Sequence, residues 1–267
     1  MPELTWSSET DWNNAQSSSN VAIDGGSFSL TSAIPDSGVS RWTLDNGDTD
    51  NGTALDTWGN LDATINGATT GASGANQTYT TNEAYSFDGT DDVLTGPTDS
   101  VGIADGTIHD FTIAAWCYWD GSTYTIQGIY NAPHVSGGAP GNPSYGLSLG
   151  GSTNNHPIVY IQNDNNNFFS AEYSVSFPSN TWTHLCGVYR GGTLNIYQNG
   201  AIVSTNTVNE AIFDLSTVNQ DIGHLIGAQK ESDNRYWTGR LDDVRLYDKG
   251  LTDTEVSNLY NSGSISG

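Results

Sequence analysis

The chain has 267 residues, and its 30 acidic and only 7 basic side chains give a formal net charge of −23 at pH 7. So few lysines and arginines cannot form a basic surface, which excludes nucleic acid and anionic membranes as expected partners. Eight Trp, 13 Tyr and 7 Phe residues supply a core, and no apolar run approaches the ~20 residues of a membrane-spanning helix. We therefore expect a folded, acidic protein without membrane insertion.

The N-terminal part differs from the rest of the chain in composition. Residues 1–40 contain serine-rich and glycine-rich stretches with weak strand signals. We interpret them as an extension that serves anchoring or oligomerisation, and residues 41–267 as one domain. The first residues carry neither a basic nor an apolar segment, so we expect no secretory signal in this sequence.

Short apolar runs separated by Gly, Asn and Asp predict an all-β domain. The runs are residues 93–94, 111–119, 158–161, 182–189, 194–197 and 201–203. Asn199-Gly200 between the last two runs predicts a type I′ hairpin, because both residues tolerate positive φ. A helical pattern covers residues 252–260, where Thr252 and Glu255 have the spacing of a capping box. So many short strands favour one large sandwich over two small domains.

The chain has two cysteines, Cys117 and Cys186, and both lie in apolar stretches. Two cysteines are too few for a disulfide scaffold. We expect both to be small buried hydrophobic residues, and a single bridge is the alternative.

Six blocks of sequence follow one another in a characteristic order. They are residues 41–45 (RWTLD, with Gly52 and Asp56 beyond), 84–92 (AYSFDGTDD), 111–116 (FTIAAW), 182–185 (WTHL), 194–200 (LNIYQNG) and 239–247 (GRLDDVRLY), and the helical pattern closes the series. In this order they resemble the laminin-G-like jelly-roll modules of the concanavalin A-like lectin/glucanase superfamily. The resemblance implies a two-sheet antiparallel jelly-roll sandwich with a short C-terminal helix and an N-terminal extension.

Fold alone does not determine function, so an enzyme would need catalytic residues of its own. Glucanases that this chain resembles carry closely spaced carboxylates on one strand, where one acts as nucleophile and the other as acid and base. No two of the seven glutamates here lie within five residues of each other. Serine-hydrolase and metallohydrolase motifs are also missing. The sequence predicts no enzymatic activity.

A calcium site is suggested by residues 45–52 (DNGDTDNG), which are rich in the oxygen ligands that Ca²⁺ prefers. Their spacing does not match an EF-hand. The resemblance implies a structural Ca²⁺ between the beginning of the domain and its last long strand, with Asp45, Asp88 and Asp242 as ligands. The alternative is that these carboxylates accept backbone N–H bonds in turns.

Asn-rich loops with neighbouring aromatic residues suggest a ligand site at the rim of the sandwich. The loops are residues 124–145, 163–169 and 231–237, and the candidate binding residues are Tyr130, His134, Asn166, Tyr236 and Trp237. An aromatic side chain beside Asn, Asp and Gly is the usual composition of a sugar site. The alternative is that the loops are turns and that the aromatic residues pack beneath them.

Two functions are consistent with these features. The first is a non-enzymatic virion surface protein, such as a capsid decoration, turret or tail-associated protein of a tailed virus, made in the host cytoplasm. Its expected partners are copies of itself in a trimer or pentamer, other virion proteins, and a host receptor or glycan. The acidic composition suits the high-salt surroundings of a halophilic archaeal host, where salt screens self-repulsion. The alternative is a carbohydrate-binding or adhesion module of a secreted, extracellular or cell-surface protein.

Overall fold

Two β-sheets lie face to face and form a sandwich. The computed structural model describes residues 38–75, 77, 81–98, 101–122, 126–134, 143–150, 155–220, 222–229, 235–263 and 265, and the backbone of residues 21–23 and 26–28. Neighbouring strands within both sheets pair antiparallel, for example β10 with β15 and β12 with β13. The predicted all-β jelly-roll sandwich is confirmed.

The two sheets are named here by their strands. Sheet I has the order β17 (Ala201–Thr207), β16 (Thr193–Gln198), β15 (Trp182–Arg190), β10 (Phe111–Trp119), β19 (Thr238–Tyr247), β8 (Glu83–Asp88) and β7 (Thr69–Ser73), with β3 (Ser40–Trp42) also paired to β19. Sheet II has the order β14 (Phe168–Glu172), β13 (His156–Gln162), β12 (Tyr145–Gly150), β11 (Gln127–Asn131), β18 (Leu225–Ile226), β9 (Val93–Thr95), β6 (Ala63–Asn66), β5 (Thr53–Ala54) and β4 (Thr49–Asp50).

The N-terminal strands β1 (Val21–Ile23) and β2 (Gly26–Phe28) pair with each other in a separate two-stranded sheet. The rest of residues 1–37 lies outside the described residues. The role predicted for the extension of residues 1–40, anchoring or oligomerisation, therefore stays a prediction.

Strand β10 shows how the sequence builds both faces of a sheet. Phe111, Ile113 and Cys117 belong to the main core, which fills the space between the two sheets. Ala114 belongs to a second apolar cluster on the outer face of sheet I. This division follows from the side-chain period of two, interrupted by a bulge at the pairing with β19.

The hairpin between β16 and β17 turns at the predicted residues. Asn199 has a φ of 50° and Gly200 a φ of 76°, so both central residues have positive φ as a type I′ turn requires. The prediction of a hairpin at Asn199-Gly200 is confirmed.

Helix α1 (Asp253–Ser262) covers part of the outer face of sheet I. It begins at Thr252 with a complete capping box, in which the Thr252 hydroxyl accepts the N–H of Glu255 and the Glu255 carboxylate accepts the N–H of Thr252. Val256 and Leu259 pack onto the outer cluster of sheet I. The predicted helix is confirmed. Among the described residues, no helix has the length and apolar character needed to cross a membrane.

A buried ion network fixes the last strand to the beginning and the end of the domain. Nη2 of Arg245 donates to Asp243 at 2.7 Å, and Nε of Arg41 donates to the same carboxylate at 2.7 Å. Nη1 of Arg245 donates to the carbonyl oxygen of Gly263 at 2.6 Å, just beyond the helix. The two guanidinium groups hold the pKa of Asp243 below its usual value despite burial. Asp243 is thus an ionised partner inside the protein.

Both cysteines are free and buried. Cys117 belongs to the main core and Cys186 to the outer cluster of sheet I, so their side chains lie on opposite faces of the sheet. The expectation of small buried hydrophobic residues is confirmed, and the alternative of a bridge is wrong.

Candidate functional site

A surface groove of about 550 Å³ lies on the outer face of sheet II. It is lined by both polar and apolar side chains: Thr64, Asn66, Asp91, Val93, Thr95, Ile222 and Tyr236. Ile65 and Leu94, which alternate with lining residues of β6 and β9, pack towards the main core. The strand period of two therefore turns the lining residues outward. Sites for small molecules have volumes of about 300–1,000 Å³, so this groove is large enough for a ligand.

The polar side of the groove is built from paired residues of β6 and β9. The Asn66 side-chain amide donates to the carbonyl oxygen of Thr64 at 3.3 Å and to the hydroxyl of Thr95 at 3.2 Å. Because the Thr95 oxygen accepts this bond, its own proton is directed elsewhere and can be donated to a ligand. The Asn66 oxygen and the exposed Asp91 carboxylate add hydrogen-bond acceptors. This set suits a ligand with several hydroxyl groups.

The apolar side of the groove belongs to a small hydrophobic cluster outside the main core. Val93, Leu225, Ala228 and Tyr236 form this cluster, and Ile222 packs against it. Tyr236 is only 8% exposed, so its ring contributes part of a wall and not an open platform. The wall gives the groove a surface for the C–H groups of a ligand.

One end of the groove is strongly acidic. Oxygen atoms of Asp88, Asp91 and Asp92 all lie within 4.8 Å of one another. Asp88 accepts the N–H of Thr90 at 2.7 Å, and Asp92 accepts the N–H of Asp88 at 2.8 Å. Burial raises the pKa of Asp92. Asp91 is the member of this group that lines the groove.

Two of the predicted rim aromatics are core residues instead. Tyr130 and Trp237 are fully buried and belong to the main core. The Tyr130 hydroxyl is hydrogen-bonded to Nδ1 of His224, and its ring centroid is 6.0 Å from that of Trp42. The predicted rim position of both is wrong, because Tyr130 in β11 and Trp237 just before β19 turn their side chains into the space between the sheets. Burial raises the pKa of Tyr130 well above its usual value.

The other predicted loop residues are spread across sheet II. His134 is buried, so a rim position is wrong for it too, and its backbone exchanges two hydrogen bonds with Ile222 at 3.0 and 3.2 Å. Asn166 is exposed in the turn between β13 and β14, where its φ is 58°. Four strand spacings separate β13 from β9 in sheet II, or ~19 Å. Of the predicted residues, only Tyr236 lines the groove, and residues 124–125, 135–142 and 231–234 of the predicted loops lie outside the described residues.

Asp45 and Asp242 lie close enough for their charges to interact. Asp242 is fully buried, and its Oδ2 accepts the N–H of Ala75 at 2.8 Å. Among the described residues, its Oδ1 has no hydrogen-bond partner. Burial raises the pKa of Asp242 to about 8, and the charges of Asp243 and Asp45 add to the effect. Burial also raises the pKa of Asp45, which accepts a hydrogen bond from the hydroxyl of Thr81.

These two carboxylates fit part of a calcium site, because an orphaned buried oxygen needs a cation or a donor. Asp88 does not join them. It pairs with Thr238 in the register of β8 and β19, four residues before Asp242, which is ~14 Å along the strand. The predicted trio of Asp45, Asp88 and Asp242 is therefore wrong as a single site.

Comparison with protein families agrees with this geometry. The family model Laminin_G_3, described as concanavalin A-like lectin/glucanases superfamily, matches residues 87–257. The matched segment begins in β8 and ends in helix α1, and it includes Asp91 and Tyr236. A comparison with curated protein sequences finds no match.

Several solved structures have a similar fold. The binding domain of Paraclostridial Mosquitocidal Protein 1 has a TM-score of 0.62 at 16% identity, over 85% of this chain and 52% of that one. A Trypanosoma rangeli sialidase has a TM-score of 0.59 at 15% identity, over 94% of this chain and 37% of that one. Domain 4 of AbnA, an extracellular arabinanase from Geobacillus stearothermophilus, in complex with arabinotriose, has a TM-score of 0.59 at 17% identity, over 84% and 98%. The chain thus spans about half of the first of these proteins and little more than a third of the second.

Proposed function

We propose that this chain, which belongs to the Laminin_G_3 family of the concanavalin A-like lectin/glucanases superfamily, is a carbohydrate-binding module. The observation that carries the proposal is the groove on the outer face of sheet II. It places hydroxyl and amide groups of Thr64, Asn66 and Thr95 beside an apolar wall. A saccharide ring has hydroxyl groups around its edge and C–H groups on its faces, so it needs both kinds of surface.

Similar structures support a binding role. The toxin module is a binding domain by name, and the arabinanase domain holds arabinotriose. Both share the fold with this chain at 16% and 17% identity. A protein with this fold, the arabinanase domain, therefore binds a saccharide.

The carboxylates near the groove support binding over hydrolysis. Retaining glycosidases separate their two carboxyl groups by about 5–5.5 Å and inverting ones by about 6.5–9.5 Å. Asp88, Asp91 and Asp92 form one cluster, and only Asp91 of the three lines the groove, so they do not form a pair that flanks a bound sugar. Asp88 and Asp92 also accept backbone N–H bonds of their own turn. Release of reducing sugar from a bound oligosaccharide would contradict the non-enzymatic assignment.

A glycan array with a groove-blocking variant tests the proposal. Thr64 is an exposed strand residue in the groove, and Thr64→Trp fills the groove without changing the core. Thr70→Trp is the matched control, because Thr70 is an exposed strand residue of β7 in sheet I. We expect the wild type and the control to bind the same glycans and Thr64→Trp to lose them. Absence of binding to any glycan by the wild type would overturn the proposal.

A virion surface role is a second candidate. The observation in its favour is that β1 and β2 pair only with each other in the described residues, apart from the sandwich. Such a segment is available to join neighbouring subunits, while the sandwich meets a host glycan. We expect a trimer or pentamer by light scattering in about 2 M NaCl, and a monomer after deletion of residues 1–37. A full-length monomer at high salt would contradict this role.

A structural Ca²⁺ at Asp45 and Asp242 is the third element of the proposal. Its support is the orphaned Oδ1 of Asp242 beside a second buried carboxylate. We expect CaCl₂ to raise the melting temperature of the wild type, and Asp242→Asn to abolish this response. Asp248→Asn, at an exposed aspartate, is the control and should respond as the wild type does. An equal response of Asp242→Asn would contradict the site.

A further inference from the structure

We infer that the groove selects uncharged saccharides and rejects those that carry carboxylate groups, such as uronates and sialylated sugars. This inference rests on the proposed carbohydrate-binding function and goes further by assigning the ligand class. It follows from the charges around the groove and from the balance of its hydrogen-bond donors and acceptors.

The charge around the groove is negative. Asp91 lines the groove, and oxygen atoms of Asp88 and Asp92 lie within 4.8 Å of its carboxylate. No Lys or Arg lines the groove in the part of the chain that the structure describes. Arg235, next to Tyr236 in the sequence, donates to the side chain of Gln229 at 2.6 Å. A ligand carboxylate would therefore meet like charges, with no compensating cation among the described lining residues, in a protein whose net charge is already −23.

The hydrogen-bonding groups of the groove also favour a neutral ligand. Asp91 and the Asn66 oxygen are acceptors, and the Asn66 amide is already used on Thr64 and Thr95. The hydroxyls of Thr64 and Thr95 remain as neutral donors. A ligand carboxylate accepts bonds and donates none when ionised, so it cannot pair with Asp91. A neutral sugar satisfies Asp91 with its own hydroxyl groups.

The volume of the groove limits the size of the ligand. Val93, Ile222 and Tyr236 give an apolar contact surface. A volume of about 550 Å³ lies within the usual range of small-molecule sites, so the groove suits a short oligosaccharide. Neutral di- and trisaccharides, or the ends of longer neutral chains, therefore match both the size and the charge of the site.

Paired titrations test this selectivity. The probes are neutral trisaccharides of glucose, galactose, mannose and arabinose, and for each a counterpart of equal length with one uronate or sialic acid residue. We expect neutral probes to bind wild-type protein at least about tenfold more tightly than their acidic counterparts at low salt. The difference should narrow in about 0.5 M NaCl, because salt screens the repulsion at an exposed site.

Asp91→Asn separates the role of charge from that of shape. Removing the charge should lower the ratio of neutral to acidic affinity several-fold, whereas Asp248→Asn, which removes an exposed charge away from the groove, should leave the ratio unchanged. The ratio is informative because a merely structural effect of Asp91→Asn would weaken both probes alike.

The outcomes distinguish the inference from the proposed function. Equal or tighter binding of acidic probes that Thr64→Trp abolishes would leave the groove a sugar site and overturn its selectivity. If neither Thr64→Trp nor Asp91→Asn weakens the binding of neutral probes, the groove is not the selective site. Absence of binding to every probe would overturn the proposed function, and the inference with it.

Discussion

The outer faces of the two sheets are covered to different extents. On sheet I, helix α1 and an apolar cluster seal the face, and the cluster includes Ala114, Cys186, Val188, Tyr197 and Tyr247. The ion pair of Arg245 with Asp243 is buried on this face. This face is therefore part of the folded core.

The outer face of sheet II is covered only in part. Around β11 and β13 it is polar but buried, since the Tyr160 hydroxyl donates to Asn131 and the Asn131 amide donates to the carbonyl oxygen of Ala228 at 2.8 Å. Around β6 and β9 no segment of the described residues covers it, and the groove remains open. The comparison shows that the ion pair of Arg245 with Asp243 is buried where the face is sealed, whereas the carboxylate of Asp91 is exposed where the described residues leave the face open.

The largest effect should come from breaking the buried ion network on the sealed face. Arg245→Met removes the main partner of Asp243 and the donor to Gly263. Removal of one member of a buried ion pair costs about 3–5 kcal/mol. Urea unfolding measures this loss.

Arg240→Met is the control on the same strand. Arg240 is half-buried, and its guanidinium lies 3.8 Å from the ring centroid of Tyr118, an interaction of about 1 kcal/mol. Equal losses for the two variants would contradict the role of the network.

The second effect is the pH dependence of the free energy of unfolding that Asp242 causes on the sealed face. The pKa of Asp242 is raised to about 8 in the folded state, whereas in the unfolded chain it is near 4. Between these values the folded state holds one more proton, so stability falls as pH rises. Burial and the charges of Asp243 and Asp45 oppose ionisation of Asp242, whereas the N–H of Ala75 and the charge of Arg41 favour it.

Asp242→Asn should remove most of the decrease of stability with rising pH. Asn is neutral at every pH and can still accept the N–H of Ala75. We expect the variant to exceed the wild type by about 3 kcal/mol at about pH 6, and to match it near pH 4, in urea unfolding with EDTA present. Equal slopes of stability against pH for both proteins would contradict the buried, neutral state of Asp242.

A smaller effect should follow from loosening the helix that seals sheet I. Thr252→Ala removes the hydroxyl that accepts the N–H of Glu255, and loss of such a cap costs about 1 kcal/mol. Thr254→Ala, at an exposed position inside helix α1, should be neutral or slightly stabilising because Ala favours helix. Thermal unfolding compares the two. An unchanged stability of Thr252→Ala would show that packing alone holds the helix.

The smallest effect on stability should occur on the open face. Asp91→Asn changes an exposed residue without a core contact, so the free energy of unfolding should stay within about 0.5 kcal/mol of the wild type. A larger loss would mean that Asp91 is a structural residue and that the two faces differ less than proposed.

Local sequence patterns were sufficient for most of the fold. The positive φ required at Asn199-Gly200 and the reciprocal hydrogen bonds of Thr252 and Glu255 involve residues close in sequence, so their patterns predict them directly. The six ordered blocks added the two-sheet sandwich. In each case the determining contacts are local or belong to a known arrangement of strands.

The site was harder to predict because its residues meet only through sheet pairing. Thr64 and Thr95 are paired neighbours in β6 and β9 but lie far apart in the sequence. Their signal, a polar residue alternating with apolar Ile65 and Leu94, is common to every outer strand face. The predicted rim position of Tyr130 was wrong for a related reason. Tyr130 lies beside polar loops in the sequence, and the opposite sheet that buries it is formed by residues far away in the sequence. Which outer face stays open depends on long connections that no local pattern reveals.

The most direct test of the account is a map of backbone amide chemical shifts while the tightest neutral trisaccharide is added to the full chain. The account predicts that the shifts concentrate on β6, β9 and the residues around Asp91 and Tyr236, and that helix α1 and its contacts on sheet I do not respond. Shifts that concentrate elsewhere, for example at the turn of Asn166, would contradict the open face of sheet II as the binding site.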